Sequence, residues 1–327
     1  ADSASEVEGM ELVRRADVAM YHAKRVVRDE AAFVRYVPEL DESEARRADL
    51  ARDLPSSLHD GTIYLNYQPI VFVGAGEQIV GLEALVRWNH PHHGRISPEE
   101  LIQLAEEVGN RDELYSFIVH RAARDAAELI AEHPDDGLFM TVNASPAELR
   151  SPATVDSVAA ALAAAGLPAE SLFIEISERL VDPDEEAIVA TMDALADLGV
   201  KLLLDDFGQG QTSLSFLHQL PVTGIKLDRQ LVLNSAESDT ERIVVESIVG
   251  LSARLELTVI AEGVETQHHL ETIMRTGCRI VQGYHFHPPL HLSKIATLLR
   301  HQSRPVAAPS GGPVPAAAPA AVLSRPA

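Results

Sequence analysis

Between about residues 58 and 300, short β-rich apolar runs alternate with amphipathic helical patterns, and this alternation constrains the fold more than any other feature. The runs fall at Ile63–Val73, Ile79–Val86, Leu138–Val142, Leu172–Ile176, Val200–Leu204, Thr223–Leu227, Leu257–Ala261 and Arg279–Val281. Helical spacing occupies Pro98–Val108, Leu114–Ala131, Thr154–Ala165, Asp184–Leu198 and Arg242–Leu255. Strands alternating with helices predict a largely parallel sheet. The alternating region is close to the ~250 residues of a (β/α)8 barrel. The first two runs are joined by GAGEQ alone, too short for a parallel crossover, so they are expected to pair antiparallel.

Every run but the first contains or ends in a polar residue with catalytic potential: Glu83, Asn143, Glu175, Asp205 with Asp206, Lys226, Glu262 and Gln282. Singly, each has an ordinary explanation as a cap, a turn or a solvated charge. Jointly they recur at one end of most strands, and strand C-termini of a barrel converge on one face. Five carboxylates and an amide oxygen crowded there repel unless cations neutralise them. Hard oxygen donors without cysteine or a clear histidine favour Mg²⁺ or Mn²⁺ over zinc. A pair of ions can clamp both oxygens of a phosphoryl displacement. Lys226 adds a cation able to orient water or stabilise developing charge.

Composition narrows the classes further. The 327 residues carry 49 acidic and 27 basic side chains, a formal charge of -22, which disfavours a nucleic-acid polymer as partner. No apolar run approaches the ~20 residues of a membrane span, so no membrane contact is expected from this stretch. One cysteine, Cys278, excludes a disulfide framework and suggests a reducing, cytoplasmic setting, although a parent protein could be membrane-attached. Residues 301–327, rich in Pro, Ala and Gly, predict a disordered tail. Residues 10–28 predict an amphipathic helix, followed by a strand at Ala32–Val37 and a linker helix over 39–57. His90, His92 and His93 fall in a Pro/Gly loop and are read as loop residues, and Cys278 as a small core residue.

The motifs that hold these residues resemble those of EAL-domain cyclic-di-GMP phosphodiesterases. They are YQPI at 67–70, LEALVRWNHPHHGRISPEELIQLAEE at 82–107, VNASPAEL at 142–149, IEISE at 174–178, LLDDFGQGQTSL at 203–214, IKLDRQLV at 225–232, VIAEGVET at 259–266 and GCRIVQGYHFHPPL at 277–290. The resemblance covers 58–300 and implies a TIM-like (β/α)8 barrel with an antiparallel first strand. It implies hydrolysis of cyclic di-GMP to linear pGpG with two Mg²⁺ or Mn²⁺ ions, Ca²⁺ being inhibitory, by a homodimer. By position, Glu83, Asn143, Glu175 and Asp205 match one metal site, and Asp205, Asp206 and Glu262 a second. Lys226 matches the lysine that assists the water, and Gln282 the active-site glutamine. Glu178 matches the anchor of the loop after Asp206, and Gln68, Leu85, Arg87 and Pro289 match substrate contacts. Residues 1–38 resemble the end of a GGDEF domain without its nucleotide-binding segments. Gln209 and Gln211 replace the usual Thr and Tyr of the loop. The competing expectation is a weak or inactive EAL domain acting as a cyclic-di-GMP receptor or protein-interaction module. The site reading also expects Asn143, which stands in an Asn-Ala-Ser sequon, to be buried.

Overall fold

The structure, a computed structural model, describes residues 9–26, 34–74, 76–178, 185–208 and 220–302. Gln209 and Gln211, the start of the expected strand at Ala32 and Phe33, and the tail after Gln302 lie outside the described residues. Contacts divide the chain into two compact units, Ala1–Ile63 with Trp88–Arg111, and Tyr64–Arg87 with Asp112–Ala327.

The sheet has nine strands: β1 (Ile63–Val73), β2 (Glu77–His90), β3 (Gly94–Ile96), β4 (Phe139–Ala144), β5 (Leu172–Ser177), β6 (Lys201–Phe207), β7 (Gly224–Leu227), β8 (Thr258–Ala261) and β9 (Ile280–Gln282). Their order is β1-β9-β8-β7-β6-β5-β4-β2-β3, and β1 also pairs with β2, so eight strands close into a barrel. Pairings from β2 through β4 to β9 are parallel, whereas β1 meets β9 antiparallel. The three residues between β1 and β2 leave no room for a crossover, which fixes the reversed first strand. Among the helices after the strands are α4 (Arg111–Glu132), α5 (Pro146–Leu149), α6 (Ala153–Ala165), α7 (Glu186–Asp197), α8 (Arg229–Glu237), α9 (Asp239–Arg254), α10 (Gln267–Arg275) and α11 (Leu292–His301).

Ile70, Val80, Phe139, Phe173, Leu203 and Ile260, from six strands, form one buried apolar cluster. The side-chain period of a strand is two residues. Two positions beyond Phe173, Leu203 and Ile260 stand Glu175, Asp205 and Glu262; two before Ile70, on the reversed strand, stands Gln68. On these four strands the polar residue is therefore the next tier above an apolar plug, and the same alternation produces both.

The smaller unit holds α1 (Gly9–Val26), α2 (Glu39–Asp60), the end of β2 with β3, and α3 (Pro98–Val108). The linker helix thus runs to Asp60. Arg14 joins α1 to α2 through Asp41 at 2.8 Å. Arg46 and Arg47 of α2 reach Glu100 and Glu107 of α3, each at 3.0 Å. The Ser97 hydroxyl accepts the Glu100 N–H and caps α3. Within the expected strand at Ala32–Val37, residues 34–37 are irregular; a lone strand there has no neighbour to take its backbone hydrogen bonds. His90, expected in the loop, instead ends β2 and is buried against Asp53, its Nδ1 accepting the backbone N–H groups of His92 and His93 in the turn that follows. No described helix is long and apolar enough to cross a membrane.

Candidate active site

The site lies wholly in the larger unit. Register aligns Asn143 with Glu175 and Ser177 with Asp205 on adjacent strands, and Lys226 lies in β7 beside β8. Gln282 ends β9, and Glu262 directly follows β8. The β6–β7 pairing shifts between Leu204 and Phe207, a bulge that spans Asp205 and Asp206. Asp206 has a φ of 57°, in the left-handed region that few non-glycine residues adopt. A bulge re-aims side chains that strict alternation would send to opposite faces.

Lys226 is 1% exposed and stands at the centre. Its Nζ is 2.8 Å from Glu175, 3.6 Å from Glu83 and 3.7 Å from Asp205, and it also contacts Glu262. Glu83 is oriented from both sides. Asn143 donates to its Oε1 at 2.9 Å and Gln282 to its Oε2 at 2.6 Å. The Gly208 N–H donates to Glu178 at 2.9 Å, tying the base of the loop after Asp206 to β5's end. Glu175 Oε2 meets only the Lys226 ammonium, while Glu175 Oε1 and Gln282 Oε1 are orphaned among the described residues. Asn143 is exposed rather than buried. It stands four residues, two same-face tiers, beyond Phe139 near the end of β4, so the expectation of burial is corrected.

Charge decides the protonation of this cluster. Burial would strip the proton from Lys226, but the surrounding Asp205, Glu175, Glu262 and Glu83 carboxylates outweigh it and hold the ammonium well above its ordinary range. Burial also raises Glu83, yet Lys226 and the amides of Gln282 and Asn143 prevail and lower it. Burial lifts Glu175 well above the usual carboxylate range; Lys226 opposes this, while the neighbouring acids reinforce it. Burial likewise pushes Glu262 up to about 8, against the pull of Lys226 and with the repulsion of Asp205 and Glu83. One ammonium is too little positive charge for the acids around it. Among the described residues no three acidic, histidine or cysteine side chains form a ready ion cage. The ammonium fills the point where they converge.

A cavity of about 360 Å³ opens beside the cluster, lined by Gln68, Glu83, Asp205, Glu262 and Gln282 together with Arg229, Glu265 and Tyr284. Gln68 also donates to the His287 carbonyl at 3.3 Å. Leu85, Arg87 and Pro289 are half-buried and lie outside this lining. Arg229, Glu265 and Tyr284 were not singled out by sequence, although each sits within a quoted motif. Gly283 permits the close backbone approach that shapes the cavity: a Cβ there would stand 2.0 Å from the Val264 carbonyl oxygen.

The family profile described as EAL domain matches residues 51–289. The chain is 35% identical over 291 residues to the cyclic di-GMP phosphodiesterase NbdA of Pseudomonas aeruginosa, covering 89% of this chain and 36% of that protein. It is 34% identical over 275 residues to the bifunctional diguanylate cyclase/cyclic di-GMP phosphodiesterase MucR of the same organism, covering 84% and 39%. The chain thus spans little more than a third of the length of these relatives. Among solved structures, the P. aeruginosa MucR phosphodiesterase in complex with c-di-GMP superposes with a TM-score of 0.70 at 32% identity, covering 76% of this chain and 99% of that one. The cGMP-bound EAL enzyme Bd1971 gives 0.70 at 27% identity, covering 79% and 71%.

Proposed function

This chain belongs to the EAL domain family, and from that membership we propose that it hydrolyses one phosphodiester bond of cyclic di-GMP to give linear pGpG. The observation that carries the reading is the convergence of Lys226 with Glu83, Glu175, Asp205 and Glu262 at one end of the barrel. The activity in the name of NbdA and the ligand in the MucR complex support the substrate.

The donor set fits hard divalent cations in its chemistry. It is all oxygen, it carries excess negative charge, and buried Glu175 Oε1 has no hydrogen-bond donor among the described residues, Oε2 meeting only the Lys226 ammonium. Glu83, Asn143, Glu175 and Asp205 would hold one Mg²⁺ or Mn²⁺ ion, and Asp205, Asp206 and Glu262 a second. Bound there, the ions supply Lewis-acid activation of water and of the phosphoryl oxygens.

The chain's own residues do the rest. The Lys226 ammonium donates to the attacking water and opposes charge that develops on the phosphorane. Asn143 and Gln282 fix the Glu83 carboxylate in one orientation, so that no rotamer search precedes reaction. Glu178 holds the Gly208 backbone and with it the base of the loop that follows β6 and Asp206. Gln68 lines the cavity, its amide held by the His287 carbonyl.

Incubating the chain with cyclic di-GMP and Mn²⁺ or Mg²⁺ should give pGpG by chromatography, with none in Ca²⁺ or in chelator. A folded chain that yields no product under the first condition overturns the reading. Three further readings belong to the same proposal. Helix α1 corresponds to the last helix of a GGDEF domain, two copies pair beside the loop after Asp206, and the chain works in the cytoplasm.

A further inference from the structure

We propose that Arg229 is a second substrate anchor, whose guanidinium holds the phosphate of the cyclic dinucleotide that is not being cleaved. The inference rests on the phosphodiesterase reading above. The cavity beside the cluster is walled by the carboxylates of Glu83, Asp205, Glu262 and Glu265, and Arg229 is the one cationic side chain among the described residues of its lining. A cyclic dinucleotide brings two phosphodiester anions. One goes to the Lys226 end. The other must lie against this acidic wall unless a cation meets it.

The geometry holds Arg229 for that task. Asp228 caps α8 by accepting the N–H groups of Gln230 and Leu231, which sets Arg229 as the first helical residue, three positions after Lys226. Its stem crosses Gly263: a Cβ there would stand 2.3 Å from Arg229 Cγ. Any side chain at 263 would displace the arginine, and Gly263 itself lines the cavity directly after Glu262. Glu265 Oε1 accepts from both Nε, at 3.1 Å, and Nη2, at 2.5 Å. Nη1 donates to no described residue. Glu265 thus takes the Nε hydrogen and one Nη2 hydrogen, and leaves Nη1 and the second Nη2 hydrogen, a pair of donors whose spacing suits two non-bridging phosphate oxygens. Glu265 acts through Arg229 and is a positioning residue.

The test compares Arg229→Met, which keeps the stem over Gly263, with Arg229→Lys, Glu265→Gln and the Arg229→Met/Glu265→Gln double variant, all in the full chain with Mn²⁺. Two probes are used: cyclic di-GMP, with two phosphodiesters, and bis(p-nitrophenyl) phosphate, with one. Arg229→Met should raise KM for cyclic di-GMP about tenfold or more, the loss falling on KM rather than kcat. Its penalty on the two-phosphate substrate should exceed that on the single-phosphate probe by a similar factor. Lysine should restore only part of the affinity, because it lacks the fork. Glu265→Gln should raise KM on its own and add nothing to Arg229→Met. An unchanged KM, or equal penalties on both probes, overturns the inference while leaving the phosphodiesterase reading in place. If the parent chain cleaves neither probe, the earlier reading fails before any substitution is made, and the anchor falls with it.

Discussion

A lysine that is 1% exposed is costly to bury, and Lys226 persists because carboxylates surround it. Lys226→Met leaves Glu83, Glu175, Asp205 and Glu262 facing one another without a counter-ion. Breaking a buried ion pair in this way costs about 3–5 kcal/mol. The expected outcome in chelator is a lower denaturant midpoint than the parent, together with loss of turnover. Adding Mn²⁺ should restore more of the midpoint in the variant than in the parent, since the cation then supplies the charge that was removed. Equal shifts in the two chains would argue that the carboxylates do not act as a cation site. Cys278 is the opposite case, a reactive group kept inert. It is 2% exposed, its Sγ lies 3.3 Å from the Ile280 carbonyl oxygen, and burial pushes the thiol up to about 11. At pH 7 only about one molecule in 10⁴ then carries the reactive thiolate. A disulfide reagent should leave the native chain unlabelled over a time that labels it fully in denaturant; rapid stoichiometric labelling of the native chain would contradict this.

At the scale of elements, one buried tie joins β1 to the outer helical layer. The Tyr67 hydroxyl donates to Asp125 of α4, which Arg121 also holds at 2.9 Å, and the Tyr67 backbone pairs both ways with Leu290. The tie therefore braces the segment that carries Gln68. Burial, and then the Asp125 carboxylate, hold the Tyr67 proton above the ordinary tyrosine range. A raised folded-state pKa contributes stability that is fully present below the unfolded value of about 10 and is lost as pH rises beyond it. Tyr67→Phe should cost about 1.5–3 kcal/mol at neutral pH, and its stability should fall less steeply than the parent's above pH ~10 in denaturant titrations. Parallel alkaline limbs would place that titration elsewhere. Elements of this kind were legible in proportion to their periodicity. β1 and α3 have the bounds the sequence implied, because eleven residues of alternating or helical apolar spacing leave little choice. β3 and α5, at three and four residues, are too short to show a period. β2 runs on to His90 because β3 pairs with Trp88, Asn89 and His90 across the turn at 91–93, a partner of three residues whose spacing shows no period. α8 and α10 have only nine residues each and went unread. The polar strand ends were visible because each follows an apolar run. The Arg229–Glu265 pair was not, because it depends on a 36-residue separation closed by the barrel.

The whole molecule sets the conditions under which an anion reaches that end of the barrel. A net charge of -22 gives a repulsive field, and four of the carboxylates behind it line the cavity. At ~10 mM ionic strength the screening length is ~30 Å, so a dianionic substrate meets charges far from the mouth. At ~150 mM the length falls to ~8 Å, and only groups near the mouth act on the approaching ligand. The contacts proposed for Lys226 and Arg229 are made at hydrogen-bond distance, where screening is weak. Added salt should therefore relieve the long-range repulsion more than it weakens binding in the site. kcat/KM for cyclic di-GMP, measured with saturating Mn²⁺, should rise between ~10 and ~150 mM NaCl, opposite to the fall expected where a basic surface steers an anion inward. Bis(p-nitrophenyl) phosphate, with a single charge, should show a smaller rise. A steady fall of kcat/KM with salt for both substrates would mean that the charge of the mouth, and not that of the chain, governs encounter.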